Sequence, residues 1–104
     1  MKRKNEAEQL LREGLGVLPD EALLNHVLGL ALVRQQRISE AIDYLGRAAN
    51  SAEATPRYAL VYVVALKSAG QVEAARRSVQ DALRRFGPVP ELQQLASELE
   101  TEGQ

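Results

Sequence analysis

Residues 21–54 read EALLNHVLGLALVRQQRISEAIDYLGRAANSAEA, and residues 55–88 read TPRYALVYVVALKSAGQVEAARRSVQDALRRFGP. From Ala22 to Pro88 they spell one helical hairpin twice. Ala31 and Ala65, Leu32 and Leu66, Ala41 and Ala75, Leu45 and Val79, and Ala48 and Ala82 hold matched places, each pair 34 residues apart. A fixed period of that length marks stacked helix pairs, because one hairpin leaves an apolar face open and its neighbour buries it. The pattern speaks to architecture and contains no reaction chemistry.

The composition sets the limits. A chain of 104 residues fits one small domain. It is 45% apolar but only 4% aromatic, so its core has to be built from Ala, Leu and Val. The net charge of −1 gives no bulk field toward nucleic acid or an anionic membrane. There is no Cys, which excludes disulfides, thiolate zinc sites and covalent haem attachment within the chain. No apolar run is long enough for a membrane span. The basic start Met1-Lys2-Arg3-Lys4 leads into acidic and polar residues rather than the apolar run of a signal peptide.

Along the chain, the spacing predicts a helix over Asn5–Val17, with Ala7, Leu10, Leu11, Gly14 and Leu15 on one face. Gly16, Pro19 and Asp20 separate it from the next helix, Glu21–Gln36, for which Asp20 is the expected N-cap. That second helix is apolar all round, so it is expected to be covered on more than one side. Ser39 is read as the cap of a third helix, Glu40–Asn50, and Ser51–Thr55 as a loop. Thr55-Pro56 is a strong helix start, a hydroxyl cap followed by proline at the first helical position. The fourth helix, Pro56–Ala69, closes at Gly70. The fifth, Glu73–Phe86, stops at Gly87-Pro88, and Pro90 opens a last helix with Leu92, Leu95, Ala96 and Leu99 inward. The tail from Glu100 to Gln104 is expected to fray. Gly29, Ala31, Ala41, Ala48, Ala65, Ala75 and Ala82 are expected where helices approach most closely.

These residues resemble the tetratricopeptide repeat (TPR), in which Leu-Gly and a large residue mark the first helix, and Ala, a large residue and Pro mark the second. Asn25-x-x-Leu28-Gly29-x-x-Leu32, then Ala41-x-x-x-Leu45, is similar to one copy. Ala59-x-x-Tyr62-Val63-x-x-Leu66, then Ala75-x-x-x-Val79 and Pro88, is similar to a second. Ala7-x-x-x-Leu11 with Pro19 resembles the second half of an earlier copy, and Leu92-x-x-Leu95-Ala96-x-x-Leu99 the first half of a later one. The departures are Asn25 for a large aromatic, Val63 for a small residue, and Glu53 in place of a proline. The resemblance implies an all-α fold, a right-handed α-α superhelix of about six antiparallel helices. Its expected parts are a half repeat at 5–20, repeats at 21–54 and 55–88, and a capping helix at 89–101. Because the pattern enters halfway through a repeat, the chain is expected to be the C-terminal part of a longer bacterial array. Its compartment is therefore open: cytoplasmic by default, periplasmic if a signal peptide precedes it.

In that family the first helices line a concave groove that holds a peptide or helix. Carried over, the groove residues are Leu23, His26, Leu30, Val33 and Arg34 from one repeat, and Arg57, Leu60, Val64, Lys67 and Ser68 from the next. Versions that clamp a C-terminal carboxylate need Lys, Asn and Arg there. Leu and Val dominate here, so the resemblance implies an apolar groove instead. His26 has no second His, Cys or nearby carboxylate to make it a ligand or base. Arg76, Arg77, Arg84 and Arg85 read as a solvated outer face balanced by Glu73 and Asp81, since no aromatics interleave them. No metal spacing, phosphate loop or nucleophile-and-base set is present, so neither an enzyme, a metal nor a cofactor is expected.

The leading expectation is thus a protein-interaction scaffold binding a peptide or helix in an apolar groove. The alternative is an assembly or homo-oligomerisation domain of a larger bacterial protein. A faint likeness of Arg57–Tyr62 to terminal repeats found downstream of multihaem cytochrome domains belongs with that alternative. A protein or peptide partner, or a second copy, is expected in either case, with no nucleic acid.

Overall fold

The computed structural model describes residues 2–102, with side chains from residue 6 onward. The described residues form α1 (Lys2–Val17), α2 (Ala22–Arg34), α3 (Ile38–Ala49), α4 (Pro56–Ser68), α5 (Val72–Phe86) and α6 (Pro90–Glu102). The chain divides into two compact units, Met1–Ala54 and Thr55–Gln104.

In the first unit α2 packs against α3 along most of its length and α1 lies against α2. Leu28, Leu32, Ala41, Leu45 and Ala48 are fully buried between them. The closest approach is at Gly29. A Cβ built there would lie 2.5 Å from Leu45 Cδ2 and 3.3 Å from the Leu45 backbone nitrogen, so any side chain at this position would have to displace Leu45. The second unit repeats the plan, with α4 on α5 and α6 on both. Ala59, Val63, Leu66, Ala75, Val79 and Ala82 make its core, joined by Leu92, Leu95 and Leu99 of α6. The matched positions at the 34-residue period are therefore core in both copies, with one exception: Ala31 is half-buried whereas Ala65 is buried.

The turns repeat as well. Gln36 has φ of 64° and Gly70, 34 residues on, has φ of 80°. In each case the next residue donates back across the turn, Arg37 N to Leu32 O and Gln71 N to Leu66 O, both at 2.9 Å. The left-handed residue swings the chain straight into the following helix. This explains two departures from expectation. Helices α3 and α5 start at Ile38 and Val72, ahead of the expected starts, and Ser39 lies inside the first turn rather than capping it. Neither N-cap, Arg37 nor Gln71, makes a side-chain cap bond.

The cap of α2 also differs. Pro19 and Asp20 are held inside a turn closed by Glu21 N donating to Leu18 O at 3.1 Å. Glu21 takes the extended cap position, and its Oε2 accepts from Leu24 N at 3.1 Å. The buried Asn25 fastens this turn, its Nδ2 donating to Pro19 O at 3.1 Å and Glu21 O at 3.0 Å. The aromatic that the repeat pattern calls for is replaced here by a side chain bonded to the backbone. At Thr55 the expected cap is present, Oγ1 accepting from Tyr58 N at 3.2 Å.

Helix α2 is covered on more than one side, by α1 and by α3, as expected, while Leu23 and Val27 are open to solvent. Of the residues expected on one face of α1, Ala7 and Leu10 are exposed, whereas Leu15 is buried and Gly14 lies against Leu24 of α2. One further expectation is corrected: α6 does not fray at Glu100 but continues to Glu102. Arg76 Nε donates to Leu99 O at 2.9 Å, and Lys67 Nζ lies 3.3 Å from Glu102, so α4 and α5 both hold this end. Residues 103 and 104 of the expected tail lie outside the described residues.

Candidate functional site

The site expected from the sequence is made of side chains on α2 and α4, one helix in each unit. On α2, Leu23 is 54% exposed and Val27 37% exposed, with Leu30 half-buried and Arg34 exposed. These four follow each other at steps of four, three and four, so they share a stripe. Val33 is half-buried, and His26 lies beneath the surface at 6% exposure. Val27 was not among the expected residues. Its place one turn after Leu23 is the signal that marks it.

On α4, Arg57 and Ser68 are exposed, Leu60 is half-buried and Val64 is 45% exposed. A hollow of about 130 Å³ opens between the starts of α4 and α6, lined by Pro56, Arg57, Leu60, Val89, Glu91 and Leu92. Its floor is apolar, with Arg57 and Glu91 at its edges. Lys67 has a different setting. Its ammonium lies 3.2 Å from Glu98 and 3.3 Å from Glu102 of α6. The hydrogen bond to Glu98, and after it the one to Glu102, holds its pKa above the usual lysine value, and Glu98 is correspondingly held low. Lys67 therefore joins α4 to α6.

The first unit carries a polar cluster that the sequence did not announce. Arg12 Nε donates to Glu8 Oε2 at 2.9 Å, and Arg12 Nη1 donates to Tyr44 Oη at 2.9 Å. Arg37 bridges Glu8 at 2.9 Å and Glu40 at 2.7 Å. The Arg12 hydrogen bond is the main reason that the Glu8 carboxyl sits below its usual range, with partial burial pulling the other way and Arg37 and Gln35 adding to the lowering. Arg12 and Arg47 also lie over the Tyr44 ring, 5.5 and 5.1 Å from its centre. A hollow of about 530 Å³ runs beside Glu8, Gln9, Arg12, Glu13 and Arg37. Most of its charges already face each other, so it fastens α1 to the α2–α3 turn. Arg12–Glu8 and Arg37–Glu40 are local pairs, but the contacts that join α1 to the rest of the cluster lie 27 to 32 residues apart in sequence, and no local spacing reveals them.

On α5, Arg76 pairs with Glu73 and Arg84 with Asp81, while Arg85 lies over the Phe86 ring. This fits a solvated face, with Arg76 additionally serving α6. Among the described residues no three His, Asp or Glu side chains converge as they would on a metal ion, and no helix is long and apolar enough to cross a membrane.

No protein-family model matches the sequence, and no curated protein does. Solved structures do. The first TPR of Spaghetti (RPAP3) bound to the HSP90 peptide SRMEEVD superposes with a TM-score of 0.80 at 14% identity, over 97% of this chain and 80% of that one. The fold is the tetratricopeptide repeat. The Yersinia enterocolitica type III secretion chaperone SycD, in complex with a peptide of the translocator YopD, gives 0.80 at 13% identity over 99% of this chain and 84% of that one. MamA MSR-1 C2 gives 0.74 at 22% identity, over 97% of this chain and 59% of that one. The chain is thus an all-α helical repeat.

Proposed function

We propose that the chain is a protein-interaction module that receives apolar segments of a partner on the stripes of its first-position helices. The observation carrying this is the exposure of Leu23, Val27 and Val64 on helices whose other apolar residues are buried or half-buried. Exposed large apolar groups in a row mark a contact surface more often than scattered single ones do. Two of the similar TPR structures were solved with peptides, which supports the reading. The 130 Å³ hollow beside Leu60 and Leu92 suits one aliphatic anchor, with Arg57 and Glu91 orienting the backbone that carries it. Because Leu23, Leu30 and Val64 occupy places where a carboxylate clamp needs cations, the preferred segment is apolar rather than acidic. Burial at about 25 cal/mol per Å² makes micromolar affinity attainable.

Titration with an array of apolar and acidic peptides tests this. Apolar peptides should bind, and Leu23→Glu together with Val64→Glu should abolish binding without loss of helicity, since both side chains are exposed. Retained binding in that double variant removes these stripes from the account. Sedimentation run alongside addresses the assembly reading, for which a dimer dispersed by the same variant is the supporting result.

A further inference from the structure

A second hollow of the first unit, about 220 Å³, is lined by Arg12, Leu15 and Gly16 of α1, Pro19 of the α1–α2 turn, and Tyr44 and Arg47 of α3. Both charged residues in its lining are arginines. Arg12 pairs with Glu8 at 2.9 Å and reaches Glu40 at 3.4 Å. Glu8 and Glu40 are shared with Arg37, so the two carboxylates and two guanidiniums cancel. Arg47 is left over. It is exposed, and among the described residues no carboxylate pairs with it. The nearest acids in sequence on these segments, Asp43 and Asp20, are exposed and do not line the hollow. The Arg47 guanidinium lies 5.1 Å from the centre of the Tyr44 ring, a contact that orients the cation without neutralising it. Tyr44 Oη accepts from Arg12 at 2.9 Å, and its own proton has no acceptor among the described residues. The hollow therefore holds one uncompensated positive charge and unused donors on Arg47 and Tyr44.

We propose that this hollow receives a glutamate side chain from an extended segment of a partner protein, its carboxylate held by Arg47 and the Tyr44 hydroxyl beside Arg12. Charge decides between anions. One uncompensated cation matches a carboxylate, whereas a phosphate brings nearly two negative charges to a place where Arg12 is already spent on Glu8. The planar guanidinium of Arg47 can meet both carboxylate oxygens at once. The rest of the lining suits a short aliphatic stem, since Leu15 and Pro19 are apolar. Nothing lies within 4 Å of where a Cβ of Gly16 would stand, so the rim there is open. The end of α1 adds a polarity. Pro19 has no N–H to give to Leu15 O, four residues before it. Carbonyls at a helix end repel an anion and attract a donor, so the carboxylate belongs at the α3 side and a peptide N–H at the α1 side. These residues stand on α1, the following turn and α3, away from the α2 and α4 stripes, and the site does not depend on the role of those stripes.

The test titrates the whole chain with short peptides blocked at both ends and carrying one central glutamate, followed by the NMR signals of the arginine Nε–H groups and the Tyr44 ring. The glutamate peptide should shift Arg47 and Tyr44, with a Kd on the order of a millimolar that weakens as salt rises. Its glutamine counterpart should bind at least about tenfold more weakly, and so should the Arg47→Gln protein meet the glutamate peptide. Arg47 is exposed, so its replacement leaves the fold intact. Tyr44→Phe, which keeps the ring and removes the hydroxyl, should weaken binding about threefold. Leu23→Glu with Val64→Glu should leave this binding unchanged, which separates it from any contact on the stripes. The proposal is overturned by an absence of binding at peptide concentrations on the order of 10 mM, by equal binding of the glutamine peptide or by the Arg47→Gln protein, or by shifts at Arg57 in place of Arg47. Tighter binding of a phosphoserine peptide, or of a glutamine peptide with a free C-terminal carboxylate, also overturns it.

Discussion

Gly29 and Gln36 show how single residues set this fold. The space for a side chain at Gly29 is already taken by Leu45. Gly29→Ala should therefore cost about 1–3 kcal/mol, the usual range for overpacking, and Leu45→Ala in the same chain should recover part of it. Urea melts of the two single variants and the double variant check this; strictly additive losses would mean that the two positions do not meet. Gln36 pays for a left-handed backbone that Gly70 adopts without strain. Replacing Gln36 by Gly should raise the melting temperature, since relief of about 1 kcal/mol exceeds the added freedom of the unfolded chain. Gly70→Ala should lower it, although nothing lies within 4 Å of the added Cβ, because the penalty is in φ alone. The Leu28-Gly29 dipeptide announced its close approach in the sequence. The strain at Gln36 was not legible, because glutamine carries no turn signal of its own and only the Gly70 match reveals it.

At the scale of elements, ion pairs hold the two outer helices. Glu8 ties α1 to the α2–α3 turn, and Glu98 and Glu102 tie α6 to Lys67. Glu8 and Glu98 both titrate below their ordinary value of 4.5 in the folded chain. Their contribution is present above the unfolded carboxylate pKa and is lost as pH falls through the lowered folded one. Lys67 is raised above 10.5, so its share is present below the unfolded lysine value and is lost as pH rises through the folded one. Stability from the α4–α6 pair thus spans the range between the two. Acidification to about pH 3 should loosen α1 and α6 before the hairpins, read as earlier loss of amide protection in those helices. Glu8→Gln and Glu98→Gln should flatten that acid limb; an unchanged limb would place the cause elsewhere. Helix identity and order were plain from apolar spacing and from Thr55, Gly70 and Pro90. The cross-links were not, because they join residues about a repeat apart whose types are common on any solvated helix.

For the molecule as a whole, stability rests on alanines at helix crossings. Ala41 is completely buried, whereas Arg47 is exposed beside Tyr44. Ala41→Glu should abolish cooperative melting, since an unpaired carboxylate has no place there. Arg47→Glu should cost no more than about 1 kcal/mol, the scale of an exposed ring contact. Comparable melting temperatures for the two would contradict the packing. The repeat period made this core readable in advance. The exposed faces were harder, because an apolar residue on a helix looks the same whether or not something covers it: Leu15 is buried while Leu10 of the same helix is 67% exposed.

The chain has three tyrosines and no tryptophan. Tyr44 belongs to the first unit, and Tyr58 and Tyr62 to the second. Phenol emission is then the natural optical signal, already divided by position. With Tyr58→Phe and Tyr62→Phe, the remaining fluorophore watches the N-terminal hairpin alone; with Tyr44→Phe, the other two watch its successor. Whether the halves melt in concert or in sequence can thus be followed without attaching a dye.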